Sequence, residues 1–345
     1  MTQQPPSPHT PSLVPDGSAA PPSRRAFLAA VGGVGLGALL AGCGRKPGPN
    51  GTTAAPAGSL GALTAGAQQL SFLGAQSELP VGRSLLTFGL STPDNRLLTG
   101  GQPRVWAATD PTGRALGPFT ATWLELDAYR ATKDTSPRSD LHGFYAATVE
   151  LPSPGNWQLV AVPSGGQRRQ AAAGAIVVHQ HVVAAVGTKA RRVASPVATS
   201  PAARKRVCTR TPPCPLHTSS LDHALAGGRP TVVVFATPLL CTSRMCGPVV
   251  DEVLVAAKAT NSEAATFVHV EIYPQRDPNR PAPAFKAWGF QTEPWTIVAD
   301  RHGVVRARFE GPSRPPRSIP RSAHFSDRQE NPSTGSPAAA DQLPV

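Results

Sequence analysis

The segment Thr231-Val232-Val233-Val234-Phe235-Ala236 constrains this chain more than any other. It has no alternating polar face, so a strand here is expected to be buried on both sides, as in sheets covered by helices. A turn carrying Cys241 and Cys246 follows it, and then the pattern becomes helical. Over residues 248–258, Val249, Val250, Val253, Leu254 and Ala257 share one face. Asp251 and Glu252 fall in the expected first turn and Lys258 near the end, as the helix dipole favours. A strand at 266–272, a short helix around 281–288, a strand at 295–299, a turn at Asp300-Arg301-His302-Gly303 and a strand at 304–309 complete a β-α-β-α-β-β order.

The region before it is patterned differently. From 67 to 181, short alternating segments are broken by Gly, Pro, Asp and Asn. Strands are expected at 83–90, 103–109, 118–126, 143–151, 156–162 and 173–180. Within 143–151, Tyr145, Ala147, Val149 and Leu151 alternate as a half-buried strand requires, and Trp106, Trp123 and Trp157 supply large core pieces. These strands, with no convincing helix among them, predict an all-β immunoglobulin-like sandwich. His142, His179 and His181 are candidate surface ligands, but with no matching Met or Cys in the domain a metal site is not expected there.

The termini and joints have another composition. Residues 1–42 end a polar leader in Ser23-Arg24-Arg25-Ala26-Phe27-Leu28, similar to the twin-arginine export pattern. A short Gly-rich apolar stretch then reaches Leu40-Ala41-Gly42-Cys43, which resembles a bacterial lipobox. Arg24 and Arg25 are thus expected to direct export. Cys43 is the expected lipidation site and mature N-terminus, holding the chain on the outer face of the plasma membrane. Residues 43–66 read as a tether and 182–206 as a linker. Residues 312–345, rich in Pro, Ser and Arg where they begin, read as a disordered tail. No run of roughly 20 apolar residues occurs, which excludes a polytopic membrane protein. With 33 Lys+Arg against 21 Asp+Glu, the net charge is +12. Outside the cell such a charge faces anionic headgroups or wall polymers rather than nucleic acid.

The remaining cysteines, Cys208, Cys214, Cys241 and Cys246, are even in number and close in sequence, and four thiols allow three disulfide connectivities. A thiol where a strand hands over to a helix meets the positive end of the helix dipole, which favours thiolate. Arg244, between Cys241 and Cys246, acts in the same direction if its side chain turns inward.

Residues 207–311 resemble the thioredoxin-like family. The resemblance rests on Val232-Val233-Val234-Phe235, on Cys241 to Cys246-Gly247-Pro248, on Thr292-Glu293-Pro294-Trp295-Thr296, and on the turn 300–303 leading to Val304-Val305-Arg306-Ala307-Arg308-Phe309-Glu310-Gly311. It implies an α/β thioredoxin-like domain with catalytic Cys241 and Cys246, and with Pro294 as the family's cis-proline beside the dithiol. The chain departs from the family in three places. Four residues, not two, separate the thiols. Val234 stands where a buried Asp is common, and Glu293 precedes the proline. Either Cys241 attacks and Cys246 resolves, or Cys246-Gly247-Pro248 marks Cys246 as the nucleophile at the helix start, the alternative that the sequence favours slightly.

Cys208 and Cys214 flank a Pro-rich loop. They read as a structural disulfide, as an electron relay to the other pair, or, with His217, as a metal site whose spacing fits no standard zinc pattern. No cofactor or metal is expected. The expected function is a lipid-anchored extracytoplasmic thiol–disulfide oxidoreductase, with exported protein thiols or disulfides, or a membrane electron donor, as partners. The alternatives are a noncatalytic binding scaffold and a copper-handling chaperone. Against the latter, His269 lies inside a core-like strand and is read as a structural histidine.

Overall fold

The alternation over residues 67–181 does make strands, but these strands close on themselves. The computed structural model describes residues 55–132, 141–165 and 169–313. Arg24, Arg25, Cys43 and the tail beyond residue 313 lie outside the described residues. After a short helix α1 (Leu60–Thr64) come β1 (Gln68–Gly74), β2 (Glu78–Pro80), β3 (Gly82–Ser91), β4 (Arg104–Ala108) and β5 (Leu116–Glu125). Helix α2 (Asp127–Thr132), β6 (Gly143–Leu151), β7 (Gly155–Val162) and β8 (Gln170–His179) follow.

The strand order is β1-β3-β6-β5-β4-β7-β8, and β8 pairs back onto β1, so seven strands form a closed ring with β2 added beside β8. The expected immunoglobulin-like sandwich is therefore corrected to a closed β-barrel. The difference lies in β1. Its burial is confined mainly to Leu70 and Phe72, and the strand opens on Gln68 and Gln69, so only two alternating apolar positions announce it. By pairing antiparallel with β3 and parallel with β8 it removes both open edges that a sandwich would have to protect.

Inside the barrel, Phe72 stacks on Phe88 at 4.8 Å, Phe88 meets Tyr145 at 5.6 Å, and Trp123 meets Tyr145 edge-on at 5.1 Å. Complete burial of side chains such as Phe88 and Leu90 stabilises the barrel by about 1.5–3 kcal/mol each. In β6, Tyr145, Ala147, Val149 and Leu151 face this core, while Phe144 and Ala146 are also buried. That second buried face exists because Leu126 and Tyr129, at the start of α2 and within it, cover it from outside.

Gly143 opens β6 at a close approach. A Cβ there would lie 2.5 Å from the Leu124 carbonyl oxygen and 2.6 Å from the Trp123 ring. Gly143→Ala is expected to destabilise the protein by about 1–3 kcal/mol through overpacking. Denaturant unfolding followed by tryptophan fluorescence checks this. A midpoint equal to that of the parent would show that the strand yields without cost.

The second sheet follows α3 (Pro201–Val207) and α4 (Leu221–Ala226). It is built from β9 (Thr231–Ala236), α5 (Cys246–Ala259), β10 (Thr266–Glu271), α6 (Pro283–Trp288), β11 (Trp295–Ala299) and β12 (Val305–Glu310), in the strand order β10-β9-β11-β12. β9 and β10 are parallel across the α5 crossover, and β11 is antiparallel to both of its neighbours. β9 is buried at all six positions. Val233 and Phe235 pack with Leu221, Phe285 and Trp288 on one face, and Val232 and Val234 pack with Val249, Val250 and Val253 of α5 on the other.

The expected α/β thioredoxin-like domain is also corrected. The described residues are mostly β and 17% helical, and this part is a small sheet with few helices. Of the helices beside the sheet, only α5 exceeds seven residues. α6 is confined to six residues between Pro283 at its start and Gly289, whose φ of 81° ends it. α5 starts two residues earlier than the apolar pattern suggests, so its first turn contains no acid. Glu252 is instead buried, accepting the Ala128 N–H from α2 at 2.5 Å.

Both sheets fall within one compact unit. A second joint between them is made at β12. Glu310 accepts from Ser77 N at 2.8 Å, Ser77 Oγ at 2.7 Å and Thr292 Oγ1 at 2.5 Å, while Arg308 Nη2 reaches Glu78 Oε1 at 2.6 Å. Among the described residues no helix is long and apolar enough to cross a membrane.

Candidate functional site

The segment between β9 and α5 folds as two successive turns. Thr237 O accepts from Leu240 N at 3.1 Å and Cys241 N at 3.0 Å, and Cys241 O then accepts from Arg244 N at 3.4 Å. Arg244 closes the second turn in the left-handed region, with φ of 59°. The second turn takes up three of the four residues between the thiols and folds the chain back, so that the Cys246 N–H points at Cys241 Sγ at 3.4 Å. Cys246 opens α5, and Met245 before it supplies no side-chain cap. The sulfur of Cys241 therefore accepts from a helix N-terminal N–H that a capping oxygen would otherwise take.

The two thiols are unlike. Cys241 is half-buried, whereas Cys246 is fully buried. The Cys246 thiol, donating to Cys241 Sγ, is the largest influence lowering the Cys241 pKa; burial opposes it, and Ser243 Oγ at 3.2 Å and the N–H groups of Cys246 and Ser243 add to the lowering. The result is a pKa of about 6. Burial pushes the Cys246 thiol far up, and the charge of Cys241 and the Glu293 carboxylate push it further. This polarity favours Cys241 as the attacking thiolate, the reverse of the slight preference drawn from helix adjacency. The helix start does serve thiolate formation, but its N–H points at the sulfur five residues earlier in the chain.

Pro294 immediately precedes β11, its carbonyl accepts from Gly311 N at 2.9 Å, and the Glu293–Pro294 peptide is cis. The structure brings Glu293 close enough to oppose ionisation of Cys246. Val234 is buried in β9 beneath α5, in an apolar setting.

Cys208 and Cys214 form a second pair, also buried, with their sulfurs 3.8 Å apart. The loop that carries them is fastened along β10. Leu216 O accepts from His269 N at 2.7 Å, and Glu271 accepts from Thr209 N at 2.9 Å and Thr209 Oγ1 at 2.7 Å. Arg210 Nε reaches Asp251 of α5 at 2.6 Å. His217 follows Cys214 by three residues, and His269 comes from β10, the strand along which this loop lies. The ligand-capable atoms of Cys208, Cys214, His217 and His269 all lie within 4.8 Å of one another. The sequence reading grouped the first three and left His269 apart as a structural histidine. A histidine between valines in a strand, Val268-His269-Val270, was the signal available for it.

All four cysteines of the described residues are free thiols. Comparison with known proteins adds little. No family model matches the chain, and no curated protein matches it. Among solved structures, it is similar to a DUF4785 family protein from Legionella pneumophila subsp. pneumophila str. Philadelphia 1, at 14% identity and a TM-score of 0.19. That similarity covers 32% of this chain and 27% of the Legionella chain.

Proposed function

We propose that this chain is a thiol–disulfide oxidoreductase acting through Cys241 and Cys246 on disulfides of exported proteins, held outside the plasma membrane by lipid on Cys43. The observation that carries the reading is the asymmetry of the pair. A half-buried thiol with its pKa drawn down to about 6 stands against a buried partner thiol held in its protonated form. Twin-arginine and lipobox patterns at Arg24, Arg25 and Cys43 support the compartment.

In the reductive direction, Cys241 thiolate attacks one sulfur of a substrate disulfide. A Cys241–substrate bond forms, and the substrate S–S bond breaks. The departing substrate thiolate takes a proton. Cys246 then loses its proton and attacks Cys241 Sγ, forming the Cys241–Cys246 disulfide and releasing the second substrate thiol. Two electrons pass from the dithiol to the substrate, and a dithiol donor at the membrane restores the pair. The oxidative direction is the same sequence reversed.

A redox titration with maleimide mass tags tests the proposal. The Cys241–Cys246 couple is expected between about −120 and −270 mV, the span of catalytic dithiols. A bond that stays closed below about −300 mV would mark a structural disulfide and leave a binding scaffold in place of the enzyme. The reduced protein supplies a second readout. Because the reactive form of Cys241 is the thiolate, its alkylation by iodoacetamide is expected to rise with pH through a midpoint of about 6 and to be lost as pH falls below it. A midpoint at the ordinary thiol value, 9.0, would remove the basis of the proposal.

A further inference from the structure

Cys208, Cys214, His217 and His269 are all buried, with exposures of 1% or less. Their placement is closer to a coordination shell than to a packed core. Two sulfurs bound to one tetrahedral zinc at about 2.3 Å stand about 3.8 Å apart, and a sulfur and a nitrogen stand about 3.5 Å apart. Cys208 Sγ and Cys214 Sγ are separated by 3.8 Å, and His269 Nδ1 lies 3.8 Å and 3.3 Å from them.

The surroundings of the two imidazoles agree with this geometry. His269 Nε2 sits 3.2 Å from Ala236 O, so the proton belongs on Nε2 and the lone pair on Nδ1 faces the sulfurs. Metal-bound histidines are commonly oriented by such a bond from the second ring nitrogen to a backbone carbonyl. His217 packs against His269, ring to ring at 4.7 Å, and its Nε2 is buried without a hydrogen-bond partner. Buried imidazole nitrogens normally find one. The backbone holds the four ligands in place from both sides, through Leu216 O to His269 N and through Ala198 N to His217 O at 2.7 Å each.

We infer that these four side chains form a closed Cys2His2 site for a zinc ion, a structural centre separate from the Cys241/Cys246 dithiol. Charge favours a divalent ion, since two thiolates neutralise Zn2+ whereas Cu+ would leave a net negative charge among buried apolar residues. Four protein ligands leave no open position for substrate, so the ion serves the fold. It fastens the loop of residues 208–217 to β10, and that loop also meets the dithiol turn, where Thr209 Oγ1 accepts from Leu239 N at 3.3 Å.

The test uses the full chain from zinc-replete cells, purified without chelator, beside its Cys241→Ser/Cys246→Ser double variant. Plasma mass spectrometry is expected to find about one zinc per chain in both. Maleimide tagging in denaturant with chelator and no reductant is expected to mark both Cys208 and Cys214. His269→Gln and Cys214→Ser should lose the zinc. If these variants do not fold, the parent stripped of metal and refilled with Co2+ supplies the answer through tetrahedral, thiolate-bound Co2+ absorption. Four results would each overturn the inference: a Cys208–Cys214 disulfide in the isolated chain, copper in place of zinc, zinc lost with the double variant, or no tetrahedral cobalt spectrum.

Discussion

Cys241→Ser is expected to bring disulfide-reductase turnover down to the uncatalysed background, a fall of at least about a hundredfold, or about 2.7 kcal/mol in transition-state stabilisation. The hydroxyl that replaces the thiol does not ionise near neutral pH. The N–H of Cys246 and the hydroxyl of Ser243 then have no anion to stabilise. Cys246→Ser is expected to fail differently. The first attack still occurs, because Cys241 remains half-buried at the helix start, but resolution does not. The enzyme should accumulate as a mixed disulfide that mass spectrometry of the unreduced chain detects. Removing the Cys246 thiol also removes the largest influence lowering the Cys241 pKa, so the iodoacetamide midpoint should move above about 6. Equal losses in the two variants, with no trapped species in either, would show that the pair does not divide attack and resolution in this way. A trapped species on Cys246 would restore the opposite assignment of roles.

Much of the strand pattern could be read from the sequence, because strands declare themselves locally. β9 carries a continuous apolar run, and Ala147–Leu151 of β6 and Asn156–Leu159 of β7 alternate, so their places follow from burial on two faces or on one. What could not be read depends on distant neighbours. Closure of the barrel rests on β1, whose side chains are mostly exposed and whose pairing with β8 joins residues about a hundred positions apart. Glu252 looked like a helix-dipole acid and is instead a buried acceptor for the Ala128 N–H. The polarity of the thiols depends on which sulfur is buried, and neither spacing nor helix adjacency specifies that. His269 joins Cys208 only through the fold of the loop onto β10, across a separation of 61 residues.

Glu310→Ala is expected to cost about 2–3 kcal/mol, the loss of hydrogen bonds to a buried charged group. The carboxylate is 5% exposed and sits where β12 meets the barrel. Its truncation takes the acceptor from the N–H and hydroxyl of exposed Ser77 and from the hydroxyl of half-buried Thr292; water replaces part of what is lost, and a hydrogen bond to a charged group contributes about 1.5–3 kcal/mol. It also takes a negative charge from the neighbourhood of Arg308, whose side chain is 9% exposed, pairs with Glu78 and lies 4.6 Å over the Trp295 ring. A cavity alone does not explain such a loss, so Glu310→Gln separates the contributions. It keeps one acceptor oxygen, gives up the charge, and turns an amide donor toward Ser77 or Thr292, which should leave an intermediate loss. Because Glu310 ties β12 to the segment at Ser77 and Glu78, the alanine variant is expected to loosen the second sheet from the barrel. Urea unfolding followed by tryptophan fluorescence, and by protease cleavage between β8 and α3, should then give two separate transitions where the parent gives one. Coincident transitions with a loss below about 0.5 kcal/mol, the range of ordinary surface substitutions, would show that Glu310 does not hold the barrel and the second sheet together.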